Sequence, residues 1–365
     1  MSPISAASRV LMVLAMAMAQ TCSVAAAEDE RARLLARGEE ALSASRINDA
    51  WLAFERASNM KHAVDAETAI VRTYMQAGQY RRAISFAAHT SGVHAGDPAG
   101  VGLYGWLLHL GGQRAAAERL LSEASIRLPG QRFLGEVRAA IRENAAFPEQ
   151  DPPAAAVRLY PYAESNAGAR KSVVAGTAVL IDQGRHAIVP TATLGGARTV
   201  WLRNGMGQTR KASVKTRIKS KGLTLLSLHA PLPLPQELQI AASDPFPGSV
   251  GYVAEYAANT RPTPAWPVLH VGFLGLPLEN SADRALGVDV PRGPRGGALF
   301  DSTGRLAGIA VKGNDGSDQA VLINDLRKHL TKWLPAAHSP LETSKPSADL
   351  VYETALQTTL QVLRE

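Results

Sequence analysis

The hydrophobic period changes once along this 365-residue chain, and the change dictates its layout. From Glu28 to Phe147 apolar residues recur at helical spacing among Ala, Leu and Arg. From Ala154 onward they fall in short runs broken by Gly, Pro, Asn and Asp, the pattern of many strands. Phe147-Pro148-Glu149-Gln150-Asp151-Pro152-Pro153 lies between. Proline discourages a helix from running through, so residues 148–153 predict a short, extended link between two domains. The length suits two domains of ordinary size, each able to bury a core. Beyond Leu334, the run Pro335 to Asp349 is rich in Pro, Ser and Ala and reads as a loose connection. Leu350 to Arg364 predicts a terminal helix, able to dock on either domain or on a second copy.

The helical part repeats itself. Gly38, Ala50, Phe54 and Ala57 find counterparts in Tyr74, Gly78, Ala83 and Ala87, and again in Gly105, Gly112, Ala117, Leu121, Ala124 and Pro129. The anchoring alanines Ala50, Ala83 and Ala117 recur at a nearly constant interval, close to the tetratricopeptide period. Residues 28–147 thus resemble a tetratricopeptide array of three units, with Gln131 to Asn144 as a capping helix. The middle unit departs from the pattern at Val71 and Thr90. The resemblance implies helix pairs that approach closely at the small residues and leave a groove for a protein partner. A plain spacer role stays open beside it.

The stretch from Met1 to Ala27 has the marks of an export signal. Arg9 is its only charge, Val10 to Ala19 is apolar, and Ala25-Ala26-Ala27 precedes Glu28. So short an apolar run cannot span a bilayer, so cleavage near Ala27 and a periplasmic or secreted product are expected. The one cysteine, Cys22, falls inside the leader, and Thr21 before it is a poor match to a lipoprotein signal. A disulfide or a cysteine metal site is therefore not expected in the mature chain. Membrane association is left undecided.

Charge is uneven. No Asp or Glu occurs between Asp182 and Glu237, where nine Lys and Arg residues do. Along Lys211, Ser213, Lys215, Arg217, Lys219 and Lys221 every second residue is polar, while Ala212, Val214, Thr216 and Ile218 alternate with them. Period two predicts a strand with one cationic face. That face reads either as a solvated edge guarded by lysine or as a patch for an anionic envelope polymer or acidic protein. The formal charge is +7 and stays at +6 without Arg9 (7 − 1). With an export signal and no recognition motif, nucleic acid is not an expected partner.

Three runs in the second part carry a further resemblance. Gly176-Thr177-Ala178-Val179-Leu180-Ile181-Asp182 leads to Ile188-Val189-Pro190-Thr191-Ala192-Thr193-Leu194; Gly222-Leu223-Thr224-Leu225-Leu226-Ser227-Leu228 follows; Gly293-Pro294-Arg295-Gly296-Gly297-Ala298-Leu299-Phe300-Asp301 comes last. Residues 154–334 resemble trypsin-like serine proteases, including the HtrA-type branch. Gly304 to Val311 and Gln319 to Leu334 match the family's later strands and closing helix. The resemblance implies a double β-barrel. It places Thr193, Gly222 and Arg295 where the family has histidine, aspartate and serine. Those three cannot supply a base, an orienting carboxylate and a nucleophile. His186, His229 and Ser302 are near in sequence, but recruiting them breaks the flanking matches. In the family this last turn aims backbone N–H groups at an oxyanion. With Arg292, Gly293 and Arg295 it offers a candidate carboxylate site; the alternative is a relaxed loop, since Pro294 can alter the turn.

The expected architecture is multidomain: leader 1–27, helical array 28–147, link 148–153, an all-β trypsin-like double barrel 154–334 with a closing helix, and linker and helix 335–365. The function it points to is non-catalytic binding, as an envelope adaptor, scaffold or regulator whose groove holds a protein, an active protease of related fold included. Two alternatives remain: a serine endopeptidase with an unconventional site, and a binder of anionic envelope polymers through the basic strand. No cofactor is expected, and no residue is assigned as a metal ligand.

Overall fold

The computed structural model describes residues 6–148, 158–164, 168–235, 237–257, 263–279, 283–334 and 347–365, with side chains from Ala25 onward. Most of the expected link (149–153) and most of the loose segment (335–346) lie outside the described residues.

Seven helices come first: α1 (Ala6–Ser43), α2 (Ile47–Met60), α3 (Val64–Gln76), α4 (Tyr80–Val93), α5 (Pro98–Leu110), α6 (Arg114–Arg127) and α7 (Arg132–Glu143). The starts of α2, α4 and α6, at Ile47, Tyr80 and Arg114, keep the same interval as the anchoring alanines. Small residues set the approach within pairs. A Cβ on Gly38 would lie 2.4 Å from the Phe54 ring, and one on Gly105 would lie 2.8 Å from Leu121. Ala50, Ala83 and Ala117 are fully buried. Local chemistry places the helix ends: Asp97 accepts the Ala99 N–H ahead of α5, with Pro98 in its first turn. Asn144 ends α7 in the left-handed conformation. Among the described residues no helix is long and apolar enough to cross a membrane.

The rest is built from β1 (Val173–Ile181), β2 (His186–Pro190), β3 (Thr199–Asn204), β4 (Thr209–Ile218), β5 (Leu223–Leu228), β6 (Val250–Glu255), β7 (Val268–Pro277), β8 (Arg284–Gly287), β9 (Ala298–Asp301), β10 (Leu306–Lys312) and β11 (Asp318–Leu322), then α8 (Ile323–Leu330), α9 (Ala348–Thr358) and β12 (Thr359–Arg364). Two closed, antiparallel six-stranded barrels result, ordered β1-β12-β3-β4-β5-β2 and β10-β11-β8-β7-β6-β9. This is the trypsin-like double barrel, with α8 following the last strand of the second. Ala178, Leu180, Val189, Leu202, Leu226 and Val362 fill the first barrel. Val253, Leu274, Leu299, Ala310 and Leu322 fill the second.

The end of the chain differs from expectation. The helix expected over 350–364 stops at Thr358, and the strand that follows closes the first barrel. β12 pairs Leu360 with Ala178 of β1 on one side and Val362 with Leu202 of β3 on the other. Thr359, Leu360, Gln361, Val362 and Leu363 are all buried. Two ladders and full burial outweigh the helical preference of Leu, Gln and Arg, and the β-branched Thr358, Thr359 and Val362 suit the change. The domain expected to end at 334 therefore takes in 348–365 as well.

α9 fills the space between array and barrels. Tyr352 stacks edge-on against Tyr80 at 4.3 Å, and its hydroxyl donates to the Pro267 carbonyl. Glu353 accepts from the backbone and side chain of Arg81, and the Gln357 amide donates to the Gly78 carbonyl. Residues 158–164 make a second seam. Tyr162 donates to Glu39, which also pairs with the buried Arg72, while Glu164 accepts from Arg210 and the Thr209 N–H. One apolar cluster consequently runs from Leu107 and Tyr80 through Tyr352 to Ile188, Leu225 and Phe300.

Candidate functional site

The site is built where the three protease-like runs meet. Pro190 ends β2, and Thr191–Leu194 form a single 3-10 turn with Thr193 buried. The Thr191 N–H donates to the Gly222 carbonyl at 2.7 Å, joining the second run to the first. Gly222 sits at φ +61°, a conformation that favours glycine. From the other barrel, the Arg295 carbonyl accepts from the Thr177 N–H at 3.1 Å. A Cβ on Gly176 would touch both Thr193 (2.8 Å) and the Arg295 oxygen (3.1 Å). Gly176 thus lies between Thr193 and the Arg295 carbonyl, while Gly222 is joined to the first run through Thr191.

The turn 292–297 keeps an unusual backbone. Arg292, Gly293 and Gly296 have φ of 68°, 76° and 105°. Only glycine fits at 296, where a Cβ would lie 2.3 Å from the Thr177 oxygen. Its N–H groups, however, are engaged inside the protein. Gly293 donates to the Val290 carbonyl at 2.8 Å. Arg295 and Gly297 both donate to Glu255 Oε1, at 2.5 and 2.7 Å. Neither of the two expected donors is free for an outside carboxylate: Gly293 meets a carbonyl, and Arg295 meets the chain's own Glu255. Glu255 closes β6 and is 4% exposed. Burial pushes it up to about 7, opposed by the two N–H donors and the Arg295 charge. In sequence Glu255 is one acid at the end of an apolar strand, with no spacing or motif to mark it.

Of the three nearby residues set aside above, the two histidines have partners of their own. His186 Nδ1 lies 2.8 Å from Asp182 Oδ2, with its ring near Trp333. Ser302 lies in the turn after β9, which Asp301 organises. His229 Nε2 lies 2.7 Å from Ser213 Oγ on the exposed side of β4. That is a serine–histidine contact without a carboxylate on the ring among the described residues.

The basic strand is partly as expected. Lys211, Lys215, Arg217 and Lys219 are exposed, and none has an ion-pair partner among the described residues. Three details differ. β4 lies inside a closed barrel between β3 and β5, so it is no edge. A bulge between Val214 and Thr216 interrupts the alternation. The strand stops at Ile218, and Lys219–Lys221 form a 3-10 turn. Lys221 turns inward to bridge Asp283 of the second barrel (2.9 Å) and Asp325 of α8. It is not available to a ligand. Two acids distant in sequence capture it, which no local pattern reveals.

No protein-family model matches the chain, and none of the curated proteins does. Among solved structures it is similar to the MamO protease domain from Magnetospirillum magneticum in its apo form. The identity is 19%, the TM-score 0.34, and the overlap 42% of this chain and 86% of that one. A likeness of that size carries no functional inference.

Proposed function

We propose that the chain is a non-catalytic binding protein: an exported adaptor, scaffold or regulator that joins a tetratricopeptide-type array to a trypsin-like domain without its triad. The observation that carries this reading is the content of this site. Threonine, glycine and arginine stand at the three positions, and the Glu255 carboxylate takes the Arg295 and Gly297 N–H groups. Acyl transfer on this scaffold needs a nucleophile, a base and a vacant pair of N–H donors. The array then supplies recognition through the surface left by its helix pairs.

The decisive test is covalent labelling with a fluorophosphonate probe, alongside hydrolysis of a mixed peptide pool. Neither labelling nor cleavage above buffer is expected. Labelling that disappears in Ser213→Ala would overturn the reading in favour of an unconventional peptidase using Ser213 and His229. Lys211, Lys215, Arg217 and Lys219 support a second reading, the binding of an anionic envelope polymer. They present four cations together, without ion-pair partners among the described residues.

A further inference from the structure

A buried carboxylate in the helical array has one oxygen without a partner. Glu67, in the first turn of α3, is 1% exposed, and its Oε2 makes no hydrogen bond. Its Oε1 faces two imidazoles: His62 Nε2 at 2.5 Å and His94 Nε2 at 3.6 Å. His62 comes from the turn between α2 and α3, and His94 from the C-terminal end of α4. His94 Nε2 is itself buried without a hydrogen bond. The three ligand atoms all lie within 4.8 Å of one another.

An ordinary His62–Glu67 ion pair is the simpler account, and it is incomplete. It satisfies only one carboxylate oxygen. It leaves Glu67 Oε2 and His94 Nε2 buried and unpaired, at roughly 1–3 kcal/mol each. Asp65, the other acid of that turn, is committed to Arg31 and leaves His94 Nε2 without a partner. What the three groups lack in common is a cation that takes lone pairs from two neutral imidazoles and a carboxylate at once.

We propose that His62, Glu67 and His94 form a site for a divalent transition-metal ion, of the class of Zn2+. Two imidazole nitrogens and one carboxylate oxygen are a donor set zinc accepts, with a fourth position left for water. Mg2+ and Ca2+ prefer all-oxygen shells. Tetrahedral bonds of about 2.0–2.1 Å set ligand atoms roughly 3.3–3.4 Å apart. The 3.6 Å separation is near that already, and the 2.5 Å one must open by under about 1 Å as the shared proton leaves. His62, 55% exposed at its side chain, is on the solvent side and gives the ion its entry. His89 of α4, its ring 6.2 Å from that of His62, is a further imidazole beside the site. Bound metal ties the α2–α3 turn to the end of α4 and so pins two helix pairs of the array together.

The test uses the full chain without a histidine tag, stripped with chelator and titrated with ZnCl2 by calorimetry. One equivalent should bind with release of a proton and raise the melting temperature. His62→Ala alters a half-exposed side chain and leaves the core intact; Glu67→Gln keeps the shape of the buried group. Each should weaken binding by at least about 100-fold, beyond what loss of an outer partner of a ligand usually costs. His329→Ala, on the exposed face of α8, should bind as wild type does. No saturable binding by the wild type overturns the proposal, and so does equal affinity in wild type and His62→Ala. If Glu67→Gln fails to fold, His62→Ala still decides.

Discussion

Replacing Glu255 with glutamine should change how stability depends on pH. In the folded chain burial holds this carboxyl at about 7, whereas its ordinary value is 4.5. Between those values the folded protein keeps a proton that the unfolded chain has released. The stabilisation from that proton is complete below about 4.5 and is lost as the pH rises through about 7. At about 1.4 kcal/mol per pH unit, the interval is worth roughly 3 kcal/mol. Glutamine keeps an oxygen to accept the Arg295 and Gly297 N–H groups and cannot ionise. Unfolding free energies of wild type and Glu255→Gln, from urea titrations followed by tryptophan fluorescence, give a difference in which other titrating groups cancel. That difference should shift in favour of the variant by about 3 kcal/mol between about pH 4.5 and pH 8, most of it between about 5 and 7. A flat difference would refute the reasoning. A shift toward the wild type would mean that the N–H pair holds the ionised form more strongly than burial resists it, making the turn a true anion cradle.

Two further outcomes follow from the barrels. Truncation after Thr358 removes Leu360, Val362 and Leu363, each worth about 1.5–3 kcal/mol of burial, together with two ladders, from a fold with a net stability of only about 5–15 kcal/mol. The first barrel should then open, read as lost amide protection in β1 and β3; native-like protection there would contradict the closing role of β12. Charge reversal at Lys211, Lys215 and Arg217 should change stability by no more than about 0.5 kcal/mol per site while shortening retention on an anionic polysaccharide column. Unchanged retention would sink the polymer-binding reading.

Much of this fold is legible in the residues because its signals are local. The run Leu223 to Leu228 is β5 itself, and alanines 50, 83 and 117 are fully buried on their helices. The contacts among the three protease-like runs, Thr191 to Gly222 and Thr177 to Arg295, join segments that each carry their own flanking pattern in sequence. What escaped depends on partners far apart in the chain. Lys221 reads as one more exposed cation until Asp283 and Asp325 reach it. Glu255 looks like a strand-end acid until a distant turn supplies two N–H groups. Thr359–Arg364 mixes helix-favouring Leu, Gln and Arg with β-branched Thr and Val, and two distant strand edges decide for the strand.

The placement of β12 also orders the assembly of the molecule. β3 ends at Asn204, and its barrel neighbour begins only at Thr359. The whole second barrel lies within that interval. A ribosome therefore finishes the second barrel before it makes the strand that seals the first. Until then β1 and β3 present bare edges to solvent and to other chains. Closing so long a loop is a non-local event of the slow kind, which leaves a period in which the first barrel is open to chaperones or to aggregation.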